Sequence, residues 1–98
     1  MTTQEHTTPI ITAEMVAALA PQAEHLAGGL ERYFNHRIPT GSFLEAVLKN
    51  DLRDAMWRAT PQSARAIPVV VAWLNEFAPS TAWGSPEAVQ AWLKGGTR

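Results

Sequence analysis

Three histidines, two aspartates and a set of basic residues around a tryptophan are the parts of this chain whose types could do chemistry. His6, His25 and His36 are nineteen and eleven residues apart, and the sequence holds neither a cysteine nor an HExxH pattern. No metal site of ordinary ligand spacing is therefore expected. Asp51 and Asp54 lie three apart and would share a helical face in the manner of an acid/base pair, but Arg53 and Arg58 are in reach, so ion pairing is the expected outcome. Ser42 follows a glycine without a GxSxG frame, and Gly28-Gly29 and Gly95-Gly96 lack a phosphate-loop pattern. No catalytic set or cofactor site assembles, and the chain does not read as an enzyme.

What remains is recognition. Lys49, Arg53, Arg58 and Arg65 with Trp57 would make a modest basic and aromatic surface for a nucleic-acid backbone. Glu45, Asp51 and Asp54 on the same element dilute it, and a formal charge of −1 gives no global attraction to nucleic acid or anionic lipid. Trp57 lies at the flank of its helix's apolar stripe, and Trp and Arg are the residue types that anchor protein interfaces. His36 beside Arg37 suits a helix carboxy terminus, where positive charge and donors complement the dipole and the free carbonyls. The candidate partner-binding residues are Trp57, Arg58, Arg53, Lys49, His36 and Arg37. A protein is the expected partner, and a nucleic acid or nucleotide is the alternative.

The elements that must position these residues are helices. Ninety-eight residues with a 46% apolar fraction and four Trp suffice for one packed domain. Apolar residues recur three and four apart, with no sustained alternation and no hairpin signal. The expectation is an all-α single domain of four to six short helices, orthogonal or bundle-like, over residues 12–95, preceded by a flexible Thr-rich leader over residues 1–11. Thr12 should cap a first helix that buries Met15, Val16 and Leu19 and is interrupted at Pro21. A second run carries Leu26, Leu30, Tyr33 and Phe34, and Gly28-Gly29 weaken it enough to split it in two.

After a turn at Pro39 and Gly41, Ser42 with Glu45 forms a capping-box pattern. The helix that follows sets Phe43, Leu44, Val47, Leu48, Leu52, Ala55 and Met56 on one face, with Glu45–Lys49 and Asp54–Arg58 pairs on the other. Asn50-Asp51 interrupts it where Ala or Leu would propagate better. The stripe continues in phase, so a single helix is expected, with local capping, of the Pro39–Ser42 turn or of a broken helix, as the role of these two residues. Thr60-Pro61 starts a helix running to about Phe77, kinked at Pro68. It is apolar over so much of its circumference, with Val69 and Trp73 beyond the main stripe of Ile67, Val70, Val71, Leu74 and Phe77, that it must be central or face a second subunit. A homodimer through Pro68–Trp73 is the expectation. Ser85-Pro86 starts a last helix carrying Val89, Trp92 and Leu93, with Trp83 as a staple before it.

The stretch from Tyr33 to Ala59, with His36, Ile38-Pro39, Gly41 to Leu44 and Asn50 to Leu52 in that order, resembles a group of small bacteriophage and prophage proteins. So does Trp73-Leu74-Asn75-Glu76 through Ala78-Pro79 to Trp83-Gly84-Ser85-Pro86. The resemblance spans residues 30–93, and the first 29 residues look like an added segment. It implies a phage origin and no mechanism. Combined with the missing catalytic set, it leads to the expectation of a phage accessory protein that binds a host or phage protein, such as an anti-CRISPR-type inhibitor of host defence. The longest apolar run, Ile67 to Leu74, is far below the roughly 20 residues of a membrane span, and a cytoplasmic location is expected.

Overall fold

A computed structural model describes residues 10–95 as six α-helices with no strand among them. They are α1 (Ala13–Ala17), α2 (Ala27–His36), α3 (Ser42–Leu48), α4 (Leu52–Arg58), α5 (Pro61–Phe77) and α6 (Pro86–Leu93), with single 3₁₀ turns at Glu24–Leu26 and Ser80–Ala82. The all-α expectation holds. Start signals act where polar side chains meet free amides: Thr12, Asp51, Thr60 and Ser85 each accept a hydrogen bond from the amide three residues on. Ser42 does not. Gly41 is the N-cap of α3 and accepts the Glu45 amide on its own carbonyl at 2.9 Å, so the helix starts one residue early and the capping box does not form. Glu45 pairs with Lys49 instead, at 2.7 Å.

The core is organised by α2 and α5. Leu30, Tyr33 and Phe34 of α2 and Val70, Trp73 and Leu74 of α5 are buried, and Val89 and Trp92 of α6 and Leu44, Val47 and Leu48 of α3 close over them. Phe34 is the hub, with ring centroids 4.9 Å from Tyr33, 6.1 Å from Trp73 and 6.4 Å from Trp92, all edge-on or tilted as aromatic quadrupoles prefer. Gly28 and Gly29 do not divide α2. A Cβ on Gly29 would come within 3.3 Å of the Leu44 side chain, so the missing side chain lets α3 sit close.

Every polar handle of these aromatics reaches a distant main-chain carbonyl. The Tyr33 hydroxyl donates to Ala82 at 2.7 Å, the Trp73 indole to Met15 at 2.7 Å and the Trp92 indole to Tyr33 at 2.8 Å. Trp73 is thus a core residue at 4% exposure. The apolar girth of α5 is used in part within one chain, by Val70, Trp73 and Leu74, while Val71 is 36% exposed and Pro68 faces solvent. The α5 helix runs through Pro68, which faces solvent and forfeits one main-chain bond.

At the amino-terminal end, α1 stops at Ala17, well before Pro21, and buries little. Met15 and Val16 are half-buried, and Leu19 is buried in the turn beyond the helix. Ile11, counted above as leader, belongs to the core. It is 1% exposed, and the Asn35 side-chain amide bonds both its N–H, at 2.8 Å, and its carbonyl, at 2.9 Å. The rest of the expected leader, residues 1–9, lies outside the described residues, as does Gly96.

Burial pushes the Tyr33 hydroxyl up to about 12 from 10.0; Arg37 opposes this and Glu45 adds to it. The folded state therefore holds this proton more tightly than the unfolded chain. The stabilisation is complete below pH 10 and is lost as pH rises toward about 12. Tyr33→Phe should cost about 1–2 kcal/mol at neutral pH by leaving the buried Ala82 carbonyl without its donor. It should also flatten the alkaline fall in unfolding midpoint, and because the chain has one tyrosine, tyrosinate absorbance reads the same titration directly.

Candidate functional site

The helix expected to run unbroken through Asn50 is two helices. Lys49 caps α3, Asn50 takes the left-handed conformation at φ 64°, and its amide returns to Val47 at 3.0 Å while the Asp51 amide returns to Ala46 at 2.9 Å. This pair of bonds is a Schellman closure, which requires a left-handed residue after the cap, and Asn is the residue type after Gly that best tolerates it. Asp51 then starts α4 by accepting the Asp54 amide at 3.1 Å. Of the roles considered for these two residues, capping of a broken helix is the one present, and the Pro39–Ser42 turn is not involved.

The break changes which side chains α4 shows. Had the helix continued, Leu52 and Met56 would have extended the stripe of Leu44 and Leu48. After the turn at Asn50, α4 buries Ala55, while Leu52 is 63% exposed, Met56 51% and Trp57 86%. The expectation that Leu52 and Met56 lie in the core is thus overturned. Reasoning from the sequence missed these two surface residues, and Val71, expected in the main stripe of α5, is likewise exposed at 36%. The signal that would have found Leu52 and Met56 is the Asn-Asp pair itself, a left-handed stop followed by a new cap, after which helical phase is no longer carried forward.

The candidate residues divide into three places. Arg53, Trp57 and Arg58 are exposed on α4, and Arg53 and Trp57 line a shallow groove of about 420 Å³ together with Asp51 and Asp54. Arg58 donates to Asp54 at 2.9 Å. Lys49 lies at the end of α3, half-buried and paired with Glu45, and lines a different groove shared with Pro86, Gln90 and Leu93 of the α6 region. His36 is exposed at the last residue of α2.

Arg37 is turned inward. Left-handed at φ 55°, it ends α2, donates to the Trp92 carbonyl at 2.7 Å and lays its guanidinium 3.7 Å from the centre of the Trp92 ring. Its two side-chain contacts are internal cross-links, and the carbonyl its guanidinium reaches lies in the last turn of α6 and not at the end of its own helix, where only its main-chain N–H bonds.

As chemistry the arrangement offers binding. Asp51 is committed to an amide and Asp54 to Arg58. Among the described residues the one histidine–hydroxyl contact, His25 Nε2 to Ser63 Oγ at 3.3 Å, joins an exposed ring to a buried serine, and no carboxylate there bonds that histidine. Nor do three or more acids and histidines gather there into a metal-binding group. No helix of the described residues is long and apolar enough to cross a membrane.

Comparison of the chain with protein-family models, with curated proteins and with solved structures found no match.

The contrast between buried and exposed tryptophans is testable. Trp57→Ala should change stability by no more than about 0.5 kcal/mol, whereas Trp73→Ala should cost about 3–5 kcal/mol, with chemical denaturation as the measurement. Asn50→Gly should be tolerated, because glycine adopts the left-handed turn freely, while Asn50→Val should cost about 1–2 kcal/mol.

Proposed function

We propose that the protein acts by binding another protein, without catalysing a reaction, through the outward face of α4. The observation that carries this reading is Trp57, 86% exposed on a helix whose neighbouring Leu52 and Met56 are also more exposed than buried. Leaving an indole in water forgoes on the order of 4 kcal/mol of burial. A cluster of large apolar side chains rimmed by Arg53, Asp54 and Arg58 has the composition of a docking site, with aromatic and arginine anchors inside a polar margin. The phage resemblance of residues 30–93 adds the kind of partner: a bacterial or phage protein, with inhibition of a host defence protein as the role.

The nucleic-acid reading draws on the same tryptophan, which is free to stack on a base. It is weaker because Lys49 and Arg58 are each held by a carboxylate and Asp51 lines the same groove as Arg53. Binding to single-stranded DNA or RNA that falls steeply with added salt would favour it, since phosphate contacts release counterions. A flat salt response is the result expected from protein docking.

The deciding experiment is affinity capture from infected or lysogenic cells at near-physiological expression, with wild-type chain and Trp57→Ala side by side. One dominant partner should be recovered with the wild type and at least about tenfold less with the variant, a loss of roughly 1.4 kcal/mol. Equal recovery by the two chains, or no partner with either, overturns the proposal.

A further inference from the structure

We infer that residues 10–20 form a detachable strap, and that the groove of α2 and α5 beneath it is a second binding site, for an apolar segment of a partner protein that reproduces the strap's main-chain pattern. The strap has few ties. Its helix α1 has no buried residue, and only Ile11 and Leu19 of the whole stretch are buried. Among the described residues, two side chains supply every hydrogen bond that α2 and α5 make to it. Asn35 bonds both the N–H and the carbonyl of Ile11, and the Trp73 indole bonds the Met15 carbonyl. Release returns conformational freedom to the main chain of this stretch, and a segment with so few ties opens without unfolding the rest.

The receiving side stays in place when the strap lifts. Asn35 and Trp73 belong to α2 and α5, which the contact of Phe34 with Trp73 holds together. Glu31 accepts a bond from the Asn35 side-chain nitrogen at 3.3 Å, which keeps the amide oxygen turned toward the place of the Ile11 N–H. The uncovered site therefore offers an amide for both main-chain groups of one residue, a pocket for that residue's apolar side chain, and an indole N–H for the carbonyl four residues on. Main-chain bonds give affinity for any sequence, and the pocket makes the site selective. Both groups of a residue are free only outside helix and sheet ladders, so the occupant enters in a non-helical stretch and then makes a helical turn, as the chain does from Ile11 to Ala17.

The chain's own segment fills this site incompletely. A groove of about 310 Å³ remains between Ala13 and Val16 of the strap and Ala27, Gly28 and Glu31. Ala13 and Gly28 put little side chain into it. A partner segment with a large apolar side chain at the place of Ala13 buries more surface there, which offsets the advantage that tethering gives the strap. A second copy's strap carries the same Ala13 and no tether, so it gains nothing by exchange. The occupant is therefore a heterologous segment, and its site shares no lining residue with the α4 face.

Hydrogen exchange of the full wild-type chain is the first test. The Ile11 amide should exchange at least about a hundredfold faster than amides in the middle of α2 and α5. Equal protection overturns the inference, since the strap would then leave only when the whole chain unfolds. The second test uses a fluorescein-labelled peptide of residues 10–20 carrying Ala13→Leu. It should bind the full chain bearing Ile11→Ala at least about tenfold more tightly than wild type, because a weakened strap raises the fraction of chains with an open site. Asn35→Ala also frees the strap but removes the groups that read the main chain, so its binding should be no tighter than wild type. Binding equal for wild type and Ile11→Ala, absent from both, or enhanced by Asn35→Ala overturns the inference. So does a peptide with the natural Ala13 that binds as tightly as the Ala13→Leu peptide. A wild-type mass that doubles with concentration, and fails to do so with Asn35→Ala, gives the site to a second copy and overturns the heterologous occupant. Partner capture with Trp57→Ala is read separately, so either proposal can fail while the other stands.

Discussion

An indole N–H or a phenol O–H taken out of water must find an acceptor, and in a chain of this size that demand ties the helices together. Trp73, Trp92 and Tyr33 each bury a large ring and each place its polar atom on a carbonyl at least 49 residues away in sequence. Two of those carbonyls, of Met15 and Trp92's acceptor Tyr33, already accept a main-chain amide, from Ala18 and Arg37 at 3.1 Å each, and take the indole as a second donor. Each bond thus satisfies a donor carried into the core and fixes the relative position of two segments. Apolar burial supplies most of the free energy, but it is non-directional, and it is the donors that choose among the ways such short helices might pack.

The junction of α2 with α6 shows the coupling most closely. The Trp92 indole donates to Tyr33, and the Trp92 carbonyl in turn accepts from Arg37, whose guanidinium covers the ring. Arg37 reaches that position because it leaves α2 in a left-handed conformation. The helix end and the tertiary contact therefore depend on the same residue. Its charge is in use inside the fold, which sets it apart from the arginines of α4.

The same device, a left-handed residue at a helix end, creates the exposed face. Asn50 closes α3 and Asp51 opens α4 within two residues, so α4 departs in a new direction with little of its surface needed by the core. Because α4 buries chiefly Ala55, its large side chains are available for contact outside the chain. Gly84 performs a related service across the fold. At φ 107° it turns the loop before α6 so that its amide meets the Leu48 carbonyl at 2.6 Å, capping α3 from outside.

Helical class, the caps at Thr12, Thr60 and Ser85, and the ion pairs of Glu45 with Lys49 and Asp54 with Arg58 were legible in the sequence, because each depends on residues no more than four apart. Within the candidate site, Arg53, Trp57 and Arg58 were legible by residue type. Leu52 and Met56 were not, since their phase with Leu48 holds only while the helix is continuous, and a single left-handed residue cancels it. Local pattern also could not tell that Trp73 is spent on the Met15 carbonyl while Trp57 is left in water, or that Ile11 is clasped by Asn35. Those outcomes depend on which groups meet across 24 to 58 residues of chain, and such meetings are decided when the helices pack together.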